Sequence, residues 1–288
     1  FDHTLAVMQT HEQIERIAHE AVVDLAADGV VYAEIRFAPE LHQERGLQLT
    51  SVVEAVTTGL RRGETTVAEG GGQIVVNAIC CAMRTGHRSL EIAQLVERLR
   101  ASDDKIVAFD LAGAETGYPP SMHAEALAFA RSALLNITIH ASEAPDLELI
   151  SDALVHGAHR IGHGVRLHTA TNLRDAPSGT HVDTVSLGPL ARYVLDHQVH
   201  LEMAPTCNVQ IGAVSSLAAH PIGPFLRAGL NVGFNTDNRL MSNVMPSSEL
   251  HAIASAHELT ATEMRQLATN ALMASFAPIE VRRRILAE

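Results

Sequence analysis

Short apolar runs rich in β-branched residues recur along the chain, each set off from the next by a stretch with helical periodicity. Val30 to Phe37, Gln73 to Cys80, Ile106 to Leu111, Asn136 to His140, the very short Arg160 to Gly162, Val199 to Met203 and Asn231 to Asn235 read as strands. Glu12 to Ala27, Ser89 to Leu99, Ala124 to Leu135, Leu147 to Val155 and Pro189 to Asp196 read as helices, and from Glu258 onward only helices are expected. Both faces of the strands read as apolar, the pattern of a parallel sheet covered by helices. The predicted class is therefore α/β, a (β/α)8 TIM barrel, as one domain over residues 1–288 with extra C-terminal helices. The strands found are one fewer than a closed barrel needs, and the chain opens on a helical pattern, Asp2 to Ala27. The first strand is thus expected to be absent from this sequence. A doubly wound open sheet needs no eighth strand and is the structural alternative, although no glycine-rich dinucleotide fingerprint follows any strand.

With 288 residues, 47% hydrophobic and 19% charged, the chain can bury a full core, which excludes wholesale disorder. The net charge of −12 repels phosphate backbones, and no Trp and only 3% aromatic residues leave few platforms for base stacking. Nucleic acid is therefore not an expected partner. No apolar run approaches the ~18 residues of a membrane span, so no membrane association is expected either. Cys80 and Cys81 are adjacent and Cys207 stands alone, a poor disulfide framework that points to a reducing, cytoplasmic setting. The adjacent pair reads as core packing.

In a parallel barrel, chemistry sits at the C-terminal ends of the strands. Those ends read Asp110-Leu-Ala-Gly113-Ala-Glu115, His140-Ala-Ser-Glu143, Gly162-His163-Gly164 and Asn235-Thr-Asp237-Asn238. Each carries a group able to bind a metal or move a proton, and metal-assisted hydrolysis is the chemistry they could share. Imidazole nitrogen at His140 and carboxylate oxygen at Asp237 suit zinc. His163 could orient an attacking water, take its proton or stabilise developing charge. Glu143, on the loop after His140, could give a proton to substrate. Each residue also has a structural reading. His140 could end a strand, Asp237 could cap the next helix, His163 could be a satisfied core histidine, and Glu143 could complement a helix dipole. There are 17 histidines. Most of them, including His11, His19, His42 and His257, read as solvated helix surface.

These segments together resemble the adenosine deaminase family of zinc-dependent amidohydrolases, over essentially the whole chain. Val31-Tyr-Ala-Glu-Ile-Arg-Phe-Ala-Pro39 resembles the family's second-strand signature, and Asp110 to Glu115 its Asp-Leu-Ala-Gly-x-Glu segment. His140-Ala-Ser-Glu143 is similar to His-Ala-Gly-Glu, and Arg160-Ile-Gly-His-Gly164 to Arg-Ile-Gly-His-Gly. Leu201 to Gln210 resembles Leu-Glu-x-Cys-Pro-x-Ser-Asn, and Asn235 to Asn238 resembles Asn-Thr-Asp-Asp or Asn-Thr-Asp-Asn.

The resemblance implies one Zn2+ held by His140 and Asp237, with further ligands from a first-strand His-x-His that this sequence does not contain. It implies Glu143 as the acid that protonates purine N1, His163 as an aid to the attacking nucleophile, Gly113 as a backbone donor to the purine and Asn238 facing N7. The implied reaction converts adenosine or 2′-deoxyadenosine to inosine or 2′-deoxyinosine and ammonia, a step of purine salvage, with a small purine nucleoside as partner. Adenine or a modified nucleoside is the alternative substrate, and an inactive nucleoside-binding relative the alternative of another class. Departures from the pattern are Ser142, where the family has glycine, together with Ala204, Cys207 and Asn238. Serine at 142 is strained if the backbone there needs a positive φ.

Overall fold

A computed structural model describes residues 2–171 and 186–287 of the chain. Its elements run α1 (Asp2–Leu5), α2 (His11–Ala27), β1 (Tyr32–Phe37), α3 (Leu49–Glu69), β2 (Val75–Met83), α4 (Ser89–Arg100), β3 (Ile106–Ala112) and α5 (Ala124–Ser132). Then follow β4 (Ile137–Ala141), α6 (Glu148–Val155), β5 (Arg160–His163), α7 (Pro189–Asp196), β6 (His200–Met203), α8 (Pro205–Gln210), α9 (Ile222–Arg227) and β7 (Val232–Phe234). Four helices close the described chain: α10 (Arg239–Ser242), α11 (Pro246–His257), α12 (Ala261–Ala274) and α13 (Ile279–Ala287). Each predicted strand is present, shifted by at most a few residues. Strand–helix alternation and parallel pairing give the expected α/β class of barrel type, with helices alone at the C-terminal end. The chain divides into two compact units, the first built from residues 1–114, 122–137 and 276–288, the second from 115–121 and 138–275.

In the first unit the opening helical pattern is interrupted before α2. The Thr10 side chain accepts from the Gln13 amide at 3.3 Å while Gln13 Oε1 accepts from the Thr10 amide at 3.2 Å, a reciprocal cap that starts a new helix. Ile14, Ala18, Val22 and Leu25 then lie along one buried face of α2, which packs on α3. Close approach of these helices rests on glycines. A Cβ at Gly59 would meet the Glu15 carbonyl oxygen and come 2.7 Å from Ala18 Cβ, and one at Gly63 would come 2.5 Å from Val22 Cβ. Strand β1 pairs in parallel with β2 from Tyr32–Val75 to Phe37–Cys80, and β2 with β3 from Ala78–Ile106 to Met83–Ala112.

Strand β1 departs from the expected two-sided apolar pattern, since every residue in it is only half-buried. It carries Glu34, whose Oε1 accepts from the Tyr32 hydroxyl at 2.7 Å and the Phe276 amide at 2.6 Å, and Arg36, which reaches Asp110 at 3.3 Å. Its one ladder among the described residues is with β2, and a strand paired on one side tolerates such polar residues.

The second unit carries three parallel ladders in sequence order: β4 on β5, β5 on β6 and β6 on β7. Ile139, Ile161, Leu201, Met203 and Val232 are completely buried along it. Helix α12 lies against β6 and β7, and Asn270 donates to the Val232 carbonyl at 3.0 Å. At the start of β5 the Arg160 guanidinium forms a buried ion pair with Glu202 of β6 and donates to the Ala274 carbonyl at 3.2 Å. Thr138 of β4 donates to the same Glu202 carboxylate at 3.1 Å.

Two histidines expected on the surface are instead inside. His42 is 6% exposed, its Nδ1 2.9 Å from the Met8 carbonyl, and His257 is 8% exposed with its ring over Gly223. The helical stretches that carry them turn those positions inward, a matter of packing that local polarity does not report. His11 and His19 are half-exposed, nearer the expectation.

Replacing Gly59 with alanine should lower stability by ~1–3 kcal/mol, because α2 leaves no room for a methyl. Urea unfolding of Gly59→Ala against the parent chain measures this; an unchanged midpoint would mean that the helices can separate freely. Burial holds His42, His123, His163, His220 and His257 below the ordinary imidazole value of 6.5. The unfolded chain therefore binds more protons than the folded one below that value. The stability these rings contribute is full above 6.5 and is lost as pH falls through it. The urea midpoint should drop between pH of about 7.5 and about 5.5, and a flat or rising midpoint would contradict neutral burial.

Candidate active site

The ends of β4, β5 and β7 meet in the second unit. The ladder register sets His140 of β4 opposite Gly162 of β5 and Ala141 opposite His163. A Cβ on residue 162 would come 3.1 to 3.3 Å from the Cα, Cγ and Nδ1 of His140, so glycine there leaves the imidazole its place. His140 and His163 then stand edge to face, ring centroids 5.3 Å apart.

Three non-glycine residues at this end adopt left-handed backbone conformations: Ser142 at φ 69°, His163 at φ 63° and Asp237 at φ 49°. Such conformations are each unfavourable by ~1–3 kcal/mol and persist where surrounding contacts enforce them. The strain anticipated for Ser142 is therefore present, and its fully buried hydroxyl has no hydrogen-bond partner among the described residues. Asp237 is braced by Asn235. The Asn235 side-chain oxygen accepts from the Asp237 amide at 2.9 Å, while its Nδ2 donates to the Met203 carbonyl at 3.0 Å. Asp237 does not cap the helix that follows, since the N-cap position of α10 is Asn238. The Cys207 thiol donates to Asp237 Oδ2 at 3.0 Å. Burial first, and this carboxylate second, push that thiol well above the ordinary range, so Cys207 stays a protonated donor.

Glu143 rides on the loop after β4. The next amide, of Ala144, donates to Glu115 Oε2 at 2.9 Å, and the Glu143 carbonyl accepts from Arg166 at 3.3 Å. Glu143, His163 and Asp237 form the one group of three or more potential ligand side chains among the described residues whose donor atoms all lie within 4.8 Å of one another. His163 Nε2 faces Glu143 Oε1 at 3.7 Å, beyond hydrogen-bond reach. His163 is 3% exposed, and burial lowers its pKa more than the facing Glu143 raises it. The His140 ring, edge to face with His163, stands beside this group; an imidazole nitrogen from His140 and a carboxylate oxygen from Asp237 are donor types that a zinc-type divalent cation takes, so the residues present fit a metal.

Of the predicted residues, Glu143, His163 and Asp237 thus form one cluster in the second unit, His140 stands beside it with its ring edge to face with that of His163, and Asn238 is next in the chain to Asp237. Gly113 follows β3 in the first unit at φ 101°, where a Cβ would come 2.9 Å from Met83 Cε. Residues that the sequence reading left without a role are Asn235, Glu115, Asn208 and His220. The first three lie inside the quoted motifs, which was the available signal. His220 had none.

The family model for adenosine deaminase matches residues 1–288. Adenosine deaminase 1 of Streptomyces coelicolor is 45% identical over 283 residues, covering 98% of this chain and 69% of that protein. Among solved structures, adenine deaminase from Arthrobacter aurescens superposes with a TM-score of 0.80 at 28% identity, covering 98% of this chain and 80% of its own. The N6-methyl-AMP deaminase from Arabidopsis thaliana gives a TM-score of 0.81 at 25% identity, with 96% and 77% covered. Strand ends, cluster and sequence likeness agree, and the chain belongs to the adenosine deaminase family of hydrolytic deaminases.

Proposed function

We propose that this chain carries out the hydrolytic deamination of adenosine or 2′-deoxyadenosine to inosine or 2′-deoxyinosine and ammonia, in the cytoplasm. The observation that carries the reading is the convergence of Glu143, His163 and Asp237 within 4.8 Å, with the His140 ring edge to face with that of His163. The 45% identity to an adenosine deaminase favours the nucleoside over the free base or a methylated nucleotide as substrate. A reducing setting suits three buried cysteines, none of them in a disulfide.

His140 and Asp237 are proposed to hold one Zn2+. Bound there, it supplies a form of water that is nucleophilic near neutral pH. The remaining roles belong to the chain itself. Attack at purine C6 breaks ring aromaticity and puts electron density on N1, so a proton must arrive there. Glu143 is the proposed donor, held in reach by Glu115 and Arg166 through its flanking backbone. Cys207 and Asn235 hold Asp237 in one orientation, so that the carboxylate need not rearrange when charge develops. Asn238 is proposed to donate its amide to N7, which a neutral side chain does at any pH.

Zinc-replete protein should remove the adenosine absorbance, and metal analysis should find about one zinc per chain. Adenosine left intact while adenine or N6-methyl-AMP is consumed would move the substrate assignment. Glu143→Gln should lower turnover ~10²-fold or more with zinc content unchanged, because general-acid help is worth about that much. Near-parental turnover would remove Glu143 from its role. Asp237→Ala should lower zinc content and rate together; full occupancy with full rate would show that it is not a ligand.

A further inference from the structure

Behind His163 lies a hydrogen-bonded line of buried groups that none of the proposed chemistry touches. Asn208, His163 and His220 are 0%, 3% and 1% exposed. The Ile222 amide, at the first position of α9, contacts His220 Nδ1 at 3.2 Å; His220 Nε2 contacts Asn208 Oδ1 at 3.1 Å; and Asn208 Nδ2 contacts His163 Nδ1 at 3.1 Å.

The direction of every bond in this line follows from its far end. A backbone N–H can only donate, and at the start of a helix it has no carbonyl of its own helix to donate to. His220 Nδ1 must therefore be the acceptor and carry no proton, which places the His220 proton on Nε2. That Nε2–H needs an acceptor, and the Asn208 carbonyl oxygen supplies it. The Asn208 amide nitrogen then points at His163 and donates, so His163 Nδ1 is an acceptor in turn and its proton resides on Nε2. Nε2 is the atom that faces Glu143 Oε1 across 3.7 Å.

We propose that Asn208 and His220 are positioning residues that lock His163 in the Nε2–H tautomer, so that His163 offers the site a hydrogen-bond donor and not a lone pair. Of the three tasks open to His163, proton removal by Nε2 is then excluded, and orienting or stabilising an oxygen by donation remains. The role in turnover rests on the deaminase reading; the tautomer does not. Exchanging the amide of Asn208 for a carboxylate, in Asn208→Asp, reverses the last bond. The new side chain has only acceptors to offer, so Nδ1 of His163 gains a proton.

Nitrogen-15 NMR of the zinc-replete protein, labelled in histidine, reads these protons directly, with His163 assigned through His163→Gln and His220 through His220→Gln. Expected in the parent chain are an unprotonated Nδ1 and a protonated Nε2 on both rings. A protonated Nδ1 on His163 would overturn the proposal, with no variant needed. In Asn208→Asp, Nδ1 of His163 should become protonated, and kcat for adenosine should fall at least tenfold with KM within about threefold. An unchanged His163 signal, or an unchanged kcat beside a changed signal, would refute the lock or its catalytic consequence respectively. Absence of adenosine turnover in the parent chain with the tautomer as expected would count against the deaminase reading and leave the lock standing.

Discussion

The site depends on one pairing in a parallel ladder: an imidazole on β4 set opposite a residue with no side chain on β5. Parallel strands point paired side chains to the same face, so two large residues at this register would compete for one volume. Gly162 gives that volume to His140, and the next residue along, His163, swings into a left-handed conformation that brings its ring edge-on to the first. The strain at His163 recurs at Ser142 and Asp237, and each has neighbours that hold it. The Gly164 amide, just past His163, is tied to the Ala141 carbonyl at 3.1 Å; Asp237 is held by the Asn235 side chain; Ser142 is enclosed entirely. The polar end of the second unit's strands is thus built from backbone that would relax elsewhere if the surrounding core did not fix it.

One of the family departures, Cys207, finds a physical account in these contacts. Cysteine at 207 keeps the donor function of a hydroxyl toward Asp237, because burial beside a carboxylate keeps the thiol protonated. Serine at 142 has no such compensation among the described residues, since a left-handed backbone and an unpartnered buried hydroxyl are both unfavourable.

Much of this was legible in the residue string. β-branched runs marked the strands because buried parallel strands must be apolar, and the groups at their ends stood out against that background. β1 is a strand as expected, but its polar residues do not fit a two-sided apolar pattern, because Glu34 and Arg36 are satisfied by partners far along the chain, Phe276 and Asp110. Burial of His42 and His257 was invisible for a similar reason: whether a helix turns a histidine inward depends on its neighbour in space. Asn208 lay in a quoted motif, yet nothing local said which ring it would touch, and its bond to His163 spans 45 positions. Gln13 shows the opposite case, since a reciprocal cap acts over three residues and starts α2 by local chemistry alone.

Strand β5 is four residues long and buried throughout. Arg160 anchors a charge pair, Ile161 fills the core, Gly162 yields space to a neighbouring ring and His163 reaches the reacting end. No position in it is spare, so this brief segment leaves sequence drift little latitude. A substitution anywhere along it disturbs either the foundation of the sheet or its working edge.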